Sequence, residues 1–309
     1  MDSSRLLPNR YPLAPLSLPS APWPQARRPR PLRCRAARFL WSTAAVAAAL
    51  ALAAPAEARD PCFYNDRAEQ YESVGNFDMA IACYTQSLAL DPTQSTAYNN
   101  RGYDWYRKQE YGKAIADYNQ SLAICPNNAA ALGNRGVVYD DLHDHERATA
   151  DFNQALAIDP NFAMAYNNRG ATNSTLGCFA QAEADFRQAL AICPDDPTTL
   201  ENLAFLQATC PDARFRDGQR AFASASRAYQ LQGIRDPYFT ANALAAAYAE
   251  CGDFPKAILW QAKTVEFAPT ADTALQSARL ELFKQGHPYR SKVEKRAETI
   301  PPGPVLPAP

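Results

Sequence analysis

Four prolines, Pro92, Pro126, Pro160 and Pro194, follow one another at steps of 34 residues, and Ala80, Ala114, Ala148 and Ala182 keep the same step. A chain that repeats itself at this period folds as short units that cannot bury their apolar faces alone. Stacking the units buries those faces in one continuous core. Counting from Pro61 gives repeats 61–94, 95–128, 129–162 and 163–196, a longer unit 197–237 and a sixth unit 238–271.

Within each repeat the bulky and small residues recur at fixed positions. Position 4 holds Tyr64, Tyr98, Leu132 and Tyr166, and position 8 holds Ala68, Gly102, Gly136 and Gly170. Position 11 holds Tyr71, Trp105 and Tyr139, with Asn173 departing, and position 24 holds Tyr84, Tyr118, Phe152 and Phe186. Small residues at positions 8 and 20 let two helices approach closely, and the bulky residues fill the remaining space. Proline at position 32 cannot continue a helix and sets the turn. Each unit is therefore expected to be two antiparallel helices, A then B; in the second unit these run from Ala97 to Lys108 and from Tyr111 to Ile124.

The fifth unit keeps Leu200 and Leu203, then opens a longer loop at Cys210-Pro211-Asp212-Ala213-Arg214 before Ala221 and Ala228 resume helix B. The sixth recovers the pattern with Leu244, Ala245, Tyr248, Ala257 and Pro269. A last helix over 270–285 carries Ala274, Leu275, Ala278 and Leu282 on one face, with Asp272, Gln276, Arg279 and Lys284 on the others. It reads as the cap that an open stack needs, stopped by Gly286 and Pro288. Residues 286–309 read as a disordered tail, charged and then proline-rich.

The repeat pattern resembles the tetratricopeptide repeat family. That resemblance implies an all-α fold, a right-handed superhelix (solenoid) of about six helical hairpins with a C-terminal capping helix. It also implies a non-enzymatic role, in which a scaffold or adaptor takes protein or peptide partners. In the family, helix A lines a concave groove, and positions 2, 5, 6, 9, 12 and 13 face the ligand. Here position 6 holds Asn100, Asn134, Asn168 and Asn202, with Asp66 in the first unit, and position 5 holds Asn65, Asn99, Asn167 and Asn242. An amide carries both donors and an acceptor, so such a ladder can grip the backbone of an extended peptide without demanding one sequence. It is similar to the asparagine ladder of the O-linked N-acetylglucosamine transferase repeats. Tyr103, Tyr106 and Arg107 are expected in the same groove as anchors. Exposed amides of this kind should be removable with little effect on the fold. The family's carboxylate clamp needs Lys or Arg near positions 2, 5 and 6. Thr96, Asn99 and Asn100, or Ala130, Gly133 and Asn134, stand there instead, so that groove type is rejected.

Arg67, Arg101, Arg135 and Arg169 recur at position 7, and Asp117, Asp151 and Asp185 recur at position 23, where the first unit has Cys83. Two ladders of opposite sign at one step read as repeated ion pairs that satisfy half-buried guanidinium groups. The functional alternative is anion binding.

Residues 1–58 read as a targeting region. Arg27, Arg28, Arg30, Arg33, Arg35 and Arg38 precede an apolar run from Phe39 to Ala54, which ends in Ala56-Glu57-Ala58. This is the order of a secretory signal, with cleavage expected after Ala58 and export, to the periplasm of a bacterium, as the consequence. An uncleaved signal segment would be the one route to a membrane. The stretch before the apolar run is long and proline-rich, so translation is expected to start inside it; a precursor peptide containing Tyr11 would contradict this. Beyond residue 58 the chain carries 23 basic and 30 acidic residues, without a basic stripe interleaved with aromatics, so nucleic acid is not expected as a partner.

Catalysis finds little support. The chain lacks a P-loop, a G-x-S-x-G elbow and a dinucleotide fingerprint, so no cofactor, catalytic residue or small-molecule substrate is expected. His143 and His145 sit among Asp140, Asp141, Asp144 and Glu146, a set that could ligate a divalent metal but reads more simply as a solvated turn. Seven cysteines lie beyond the targeting region. Cys178 with Cys210 and Cys62 with Cys83 are candidate bridges in an oxidising compartment, against the alternative of buried apolar thiols. A metal- or thiol-dependent enzyme and a self-associating structural protein are the alternatives to the scaffold.

Overall fold

A computed structural model describes residues 60–232 and 237–294. The targeting region and residues 295–309 lie outside the described residues. Thirteen α-helices and one 3-10 turn are found, without a strand among the described residues. They are α1 (Pro61–Ser73), α2 (Phe77–Leu90), α3 (Ser95–Arg107), α4 (Tyr111–Ile124), α5 (Ala129–Asp141), α6 (His145–Ile158) and α7 (Ala163–Thr175). The remainder are α8 (Phe179–Ile192), α9 (Pro197–Thr209), α10 (Gly218–Gln232), α11 (Pro237–Glu250), α12 (Phe254–Phe267) and α13 (Thr273–Lys284). The 3-10 turn, Ala213–Phe215, falls in the long loop of the fifth repeat. No described helix is long and apolar enough to cross a membrane.

The chain divides into two compact units at His143 and Asp144. In the first, α1 pairs with α2 and α3 with α4, and α5 packs on α3 and α4. In the second, α7 pairs with α8, α9 with α10 and α11 with α12, while α6 covers α7 and α13 covers α12. Side-chain caps start many of these helices: Asp60, Asn76, Asn128, Asp144, Asp196 and Asp253 each accept a first-turn backbone N–H.

The hairpin interiors follow the repeat positions. Ala80, Ala114, Ala148 and Ala182 are fully buried, as are Tyr84, Tyr118, Phe152 and Phe186. The close approach is real: a Cβ placed on Gly102 would come within 2.8 Å of the Tyr118 ring. One on Gly170 would come within 2.9 Å of Phe186 and 3.2 Å of the Ala182 carbonyl oxygen. The turn between A and B has its own rule. Position 15 takes a left-handed backbone in five hairpins, at Gly75 (φ 73), Gln109 (61), His143 (60), Gly177 (77) and Gly252 (80).

The two charge ladders join. Arg101 grips Asp117 through Nε (2.8 Å) and Nη2 (2.8 Å), and Arg169 grips Asp185 in the same way at 3.0 and 2.6 Å. Each of these arginines also reaches back to helix B of the preceding repeat, Arg101 to Thr85 at 3.1 Å and Arg169 to Asn153 at 2.7 Å. Arg67, with Cys83 in the acidic slot, turns to the Tyr71 hydroxyl at 3.4 Å.

Three expectations differ from the structure. The capping helix does not pack through its alanine and leucine stripe: Ala274, Ala278 and Leu282 are exposed, whereas Gln276, Arg279 and Phe283 are buried. The reason lies in the waiting partners. Gln276 receives Gln261 Nε2 at 2.9 Å and donates to the Tyr238 hydroxyl at 2.8 Å, and Arg279 donates to Asn242 at 2.8 Å. Residues 287–294, expected as part of a disordered tail, run extended against the second unit with backbone hydrogen bonds to it. The candidate cysteine pairs are not joined. Cys83 is buried while Cys62 is exposed, and Cys210 is packed with Leu203, Leu206 and Phe186.

Candidate partner-binding face

The twelve residues expected along the A-helix face separate into two groups. Asn99, Asn100, Asn134, Asn167, Asn168, Asn202 and Asn242 are buried. The expectation that they present amides to a ligand therefore needs correction as to exposure. In the first unit their amides form a directed chain: Asn134 donates to Asn99 (3.0 Å), Asn99 to Asn100 (3.1 Å) and Asn100 to the Tyr84 hydroxyl (3.3 Å). The chain crosses from α5 through α3 to α2. In the second unit Asn202 donates to Asn167 (2.9 Å) and Asn167 to Asn168 (3.3 Å), while Asn242 accepts from Arg279. These amides tie neighbouring A helices together, because a buried amide is costly unless another polar group answers it.

The remaining residues are more accessible or support those that are. Asp66 and Arg107 are exposed, Asn65 and Tyr106 are half-buried, and Tyr103 is buried beneath Arg107. Asn65 donates to Gln94 at 2.8 Å. Arg107 donates to the Tyr103 hydroxyl at 2.8 Å, and its guanidinium carbon stands 4.7 Å from the Phe77 ring centroid and 5.7 Å from that of Tyr103. The result is a cation at the surface whose position is set by two aromatic rings and a phenol.

Beneath it lies a feature that the repeat pattern does not announce. Asp104 of α3 is fully buried, and neither of its carboxyl oxygens has a hydrogen-bond partner; the half-buried carboxyl of Glu72 on α1 has the Tyr84 hydroxyl beside it. Burial pushes Asp104 up to about 9, reinforced by the Glu72 charge and opposed by Arg107. Burial also pushes Glu72 up to about 7, eased by the nearby Tyr84 hydroxyl and raised further by Glu69. Glu72 thus ionises first, and its charge helps to keep the Asp104 proton in place. Burial raises Tyr103 as well, against the pull of Arg107. Sequence spacing could not single out these acids, since Asp and Glu on an A helix read as solvated.

The histidine-rich turn is not a free polar turn throughout. His145 is buried, and its Nε2 lies 2.8 Å from Glu294 Oε2.

Helical hairpins of this length, with a small residue at position 8, an aromatic at 24 and an A–B turn at position 15, define a helical-repeat protein. Family models described as tetratricopeptide repeat match residues 68–97, 93–161 and 141–204. No curated protein sequence matches the chain. Among solved structures, a tetratricopeptide repeat protein from Parabacteroides merdae is 18% identical, with 73% of this chain and 87% of that one covered and a TM-score of 0.55. PilF of Pseudomonas aeruginosa is 20% identical over 72% of this chain and 97% of its own, with a TM-score of 0.55. A chain of the APC/C hetero-tetramer Cut9–Hcn1 is 15% identical and has a TM-score of 0.65. This protein covers 45% of that longer chain, and 79% of its own length is matched. These likenesses are of fold. Stacked repeats of this kind present extended surfaces built from successive units.

Proposed function

We propose that the chain is a non-enzymatic scaffold or adaptor of the cell envelope, which takes an extended protein or peptide segment on the A-helix face of residues 60–143. The observation that carries this reading is Arg107, exposed yet held by Tyr103 and Phe77. A cation fixed before binding loses little freedom on binding, and Arg and Tyr dominate interface hot spots. Its counterpart would be a carboxylate or a row of backbone carbonyls on the partner. The buried amides support this face indirectly, by holding α2, α3 and α5 in register beneath it.

Export rests on the order of residues 27–58, basic, then apolar, then small-x-small. Purified from fractionated cells, the mature protein should begin at Arg59 and sit in the periplasmic fraction. Cytosolic protein that retains Arg38 would count against the envelope assignment.

For binding, cross-linked partners captured by the wild type should be lost with Arg107→Glu, compared at a temperature at which circular dichroism shows both proteins folded. Equal capture by both proteins would remove Arg107 from the interface.

A further inference from the structure

The second unit holds a peptide-like occupant of its own. After α13 the backbone turns at Gly286 (φ 74) and runs back as an extended segment over the C-terminal ends of successive A helices. Tyr289 lies with its ring centroid 3.8 Å from the Arg279 guanidinium carbon. Arg290 Nη1 sits 2.7 Å from Glu250 Oε2, at the end of α11, and donates to the Ala208 carbonyl at 3.3 Å. The Ser291 N–H donates to the Thr209 carbonyl at the end of α9 (2.9 Å), and the two hydroxyls meet at 2.6 Å. Val293 packs on Gly177, where an added Cβ would come within 2.8 Å of it. The Glu294 N–H donates to the Thr175 carbonyl at the end of α7 (2.9 Å), and the Glu294 carboxylate meets His145.

The chemistry is general. The last carbonyls of a helix have no partner within it, so a row of A-helix ends is a row of free acceptors. Packed helices stand about 8–10 Å apart, and three extended residues span about 10 Å. A segment with a backbone N–H free at every third residue therefore matches one helix end per step. Ser291 and Glu294, on α9 and α7, are such a pair.

We propose that this edge of the second unit is a docking track for an extended partner segment of the chemistry aromatic, basic, hydroxyl, any, aliphatic, acidic, and that residues 289–294 are its resident occupant in cis. A partner binds there by displacing the protein's own segment. The track belongs to the second unit and Arg107 to the first, and the inference does not rest on the reading of the Arg107 face.

The test uses the full chain and a fluorescent peptide that reproduces residues 286–294. Ser291→Pro/Glu294→Pro in the protein deletes both backbone donors and frees the track. The peptide should bind this variant about tenfold more tightly than it binds the wild type, whose tethered segment competes at high local concentration. A peptide carrying the same two prolines should bind neither. Equal binding of the peptide to both proteins, binding to neither, or equal binding of the proline peptide overturns the proposal. Hydrogen exchange on the wild type gives a reading that does not depend on the variant's folding. The Ser291 and Glu294 amides should be protected, and should lose protection when excess peptide is added. Exchange at unstructured-chain rates from the start would also overturn it.

Discussion

Wild-type stability should fall as pH rises from about 4 towards 9, and Asp104→Asn should remove roughly 2–4 kcal/mol of the fall between pH 4 and pH 7. In the unfolded chain an Asp ionises near pH 4, whereas in the folded protein burial keeps Asp104 protonated up to about 9. Between these values the folded state holds a proton that the unfolded state has released. Rising pH therefore favours unfolding, by up to about 1.4 kcal/mol per unit for one group. The stability linked to this carboxyl is whole below pH 4, is lost progressively as pH climbs, and changes no further above about 9. Asparagine has nearly the same shape and helix propensity and cannot ionise, so it removes the slope. Glu72→Gln follows the same sign over a window that closes near 7. It should also bring the Asp104 titration down, because the Glu72 charge is one of its causes. Urea unfolding of the wild type and both variants from pH 4 to 9 checks all three points. Parallel curves for wild type and Asp104→Asn would mean that Asp104 is not held neutral by the fold.

Breaking the amide chain is the second large effect. Asn134→Ala should cost about 1–3 kcal/mol, since it leaves the buried Asn99 carbonyl oxygen without its donor. Asn99→Ala should cost at least as much, since it also takes the donor from Asn100 Oδ1, and the double variant should cost less than the sum, because the Asn134–Asn99 bond is lost only once. The triple change Asn100→Ala/Asn134→Ala/Asn168→Ala should lower stability by about 3 kcal/mol or more. Exposed side chains would give changes within about 0.5 kcal/mol, and that outcome for Asn134→Ala would return the amides to the surface. For the same reason, loss of a partner in the triple variant would not identify a contact residue. Arg107→Glu is the cleaner probe of the binding face.

The hairpins were legible because the residues that fill them recur in step: Ala114, Tyr118 and Gly102 each have counterparts one period away that do the same packing. The ion pairs were legible for the same reason, with Arg and Asp both periodic. The amides were misread because position alone does not say where a polar side chain finds its partner. Asn134 bonds Asn99 and Asn202 bonds Asn167, each pair one repeat plus one residue apart, position 6 to position 5. That offset was present in the sequence as two ladders side by side, but only packing turns it into a bond. The capping helix failed as a pattern because its apolar stripe competes with Gln276 and Arg279, whose partners Tyr238, Gln261 and Asn242 come from two other helices. Asp104 has no acidic counterpart at its position in the other repeats, and Glu72 has one only two repeats on, at Asp140, so neither formed a ladder that could be read.

Arg101 and Arg169 each serve two masters, the acid of their own repeat and a polar side chain of the one before. Excising or duplicating a stretch of any length other than one full period would sever one half of such a clasp while leaving its charge in place. Insertions or deletions in whole periods keep both halves of the clasp, and other increments do not.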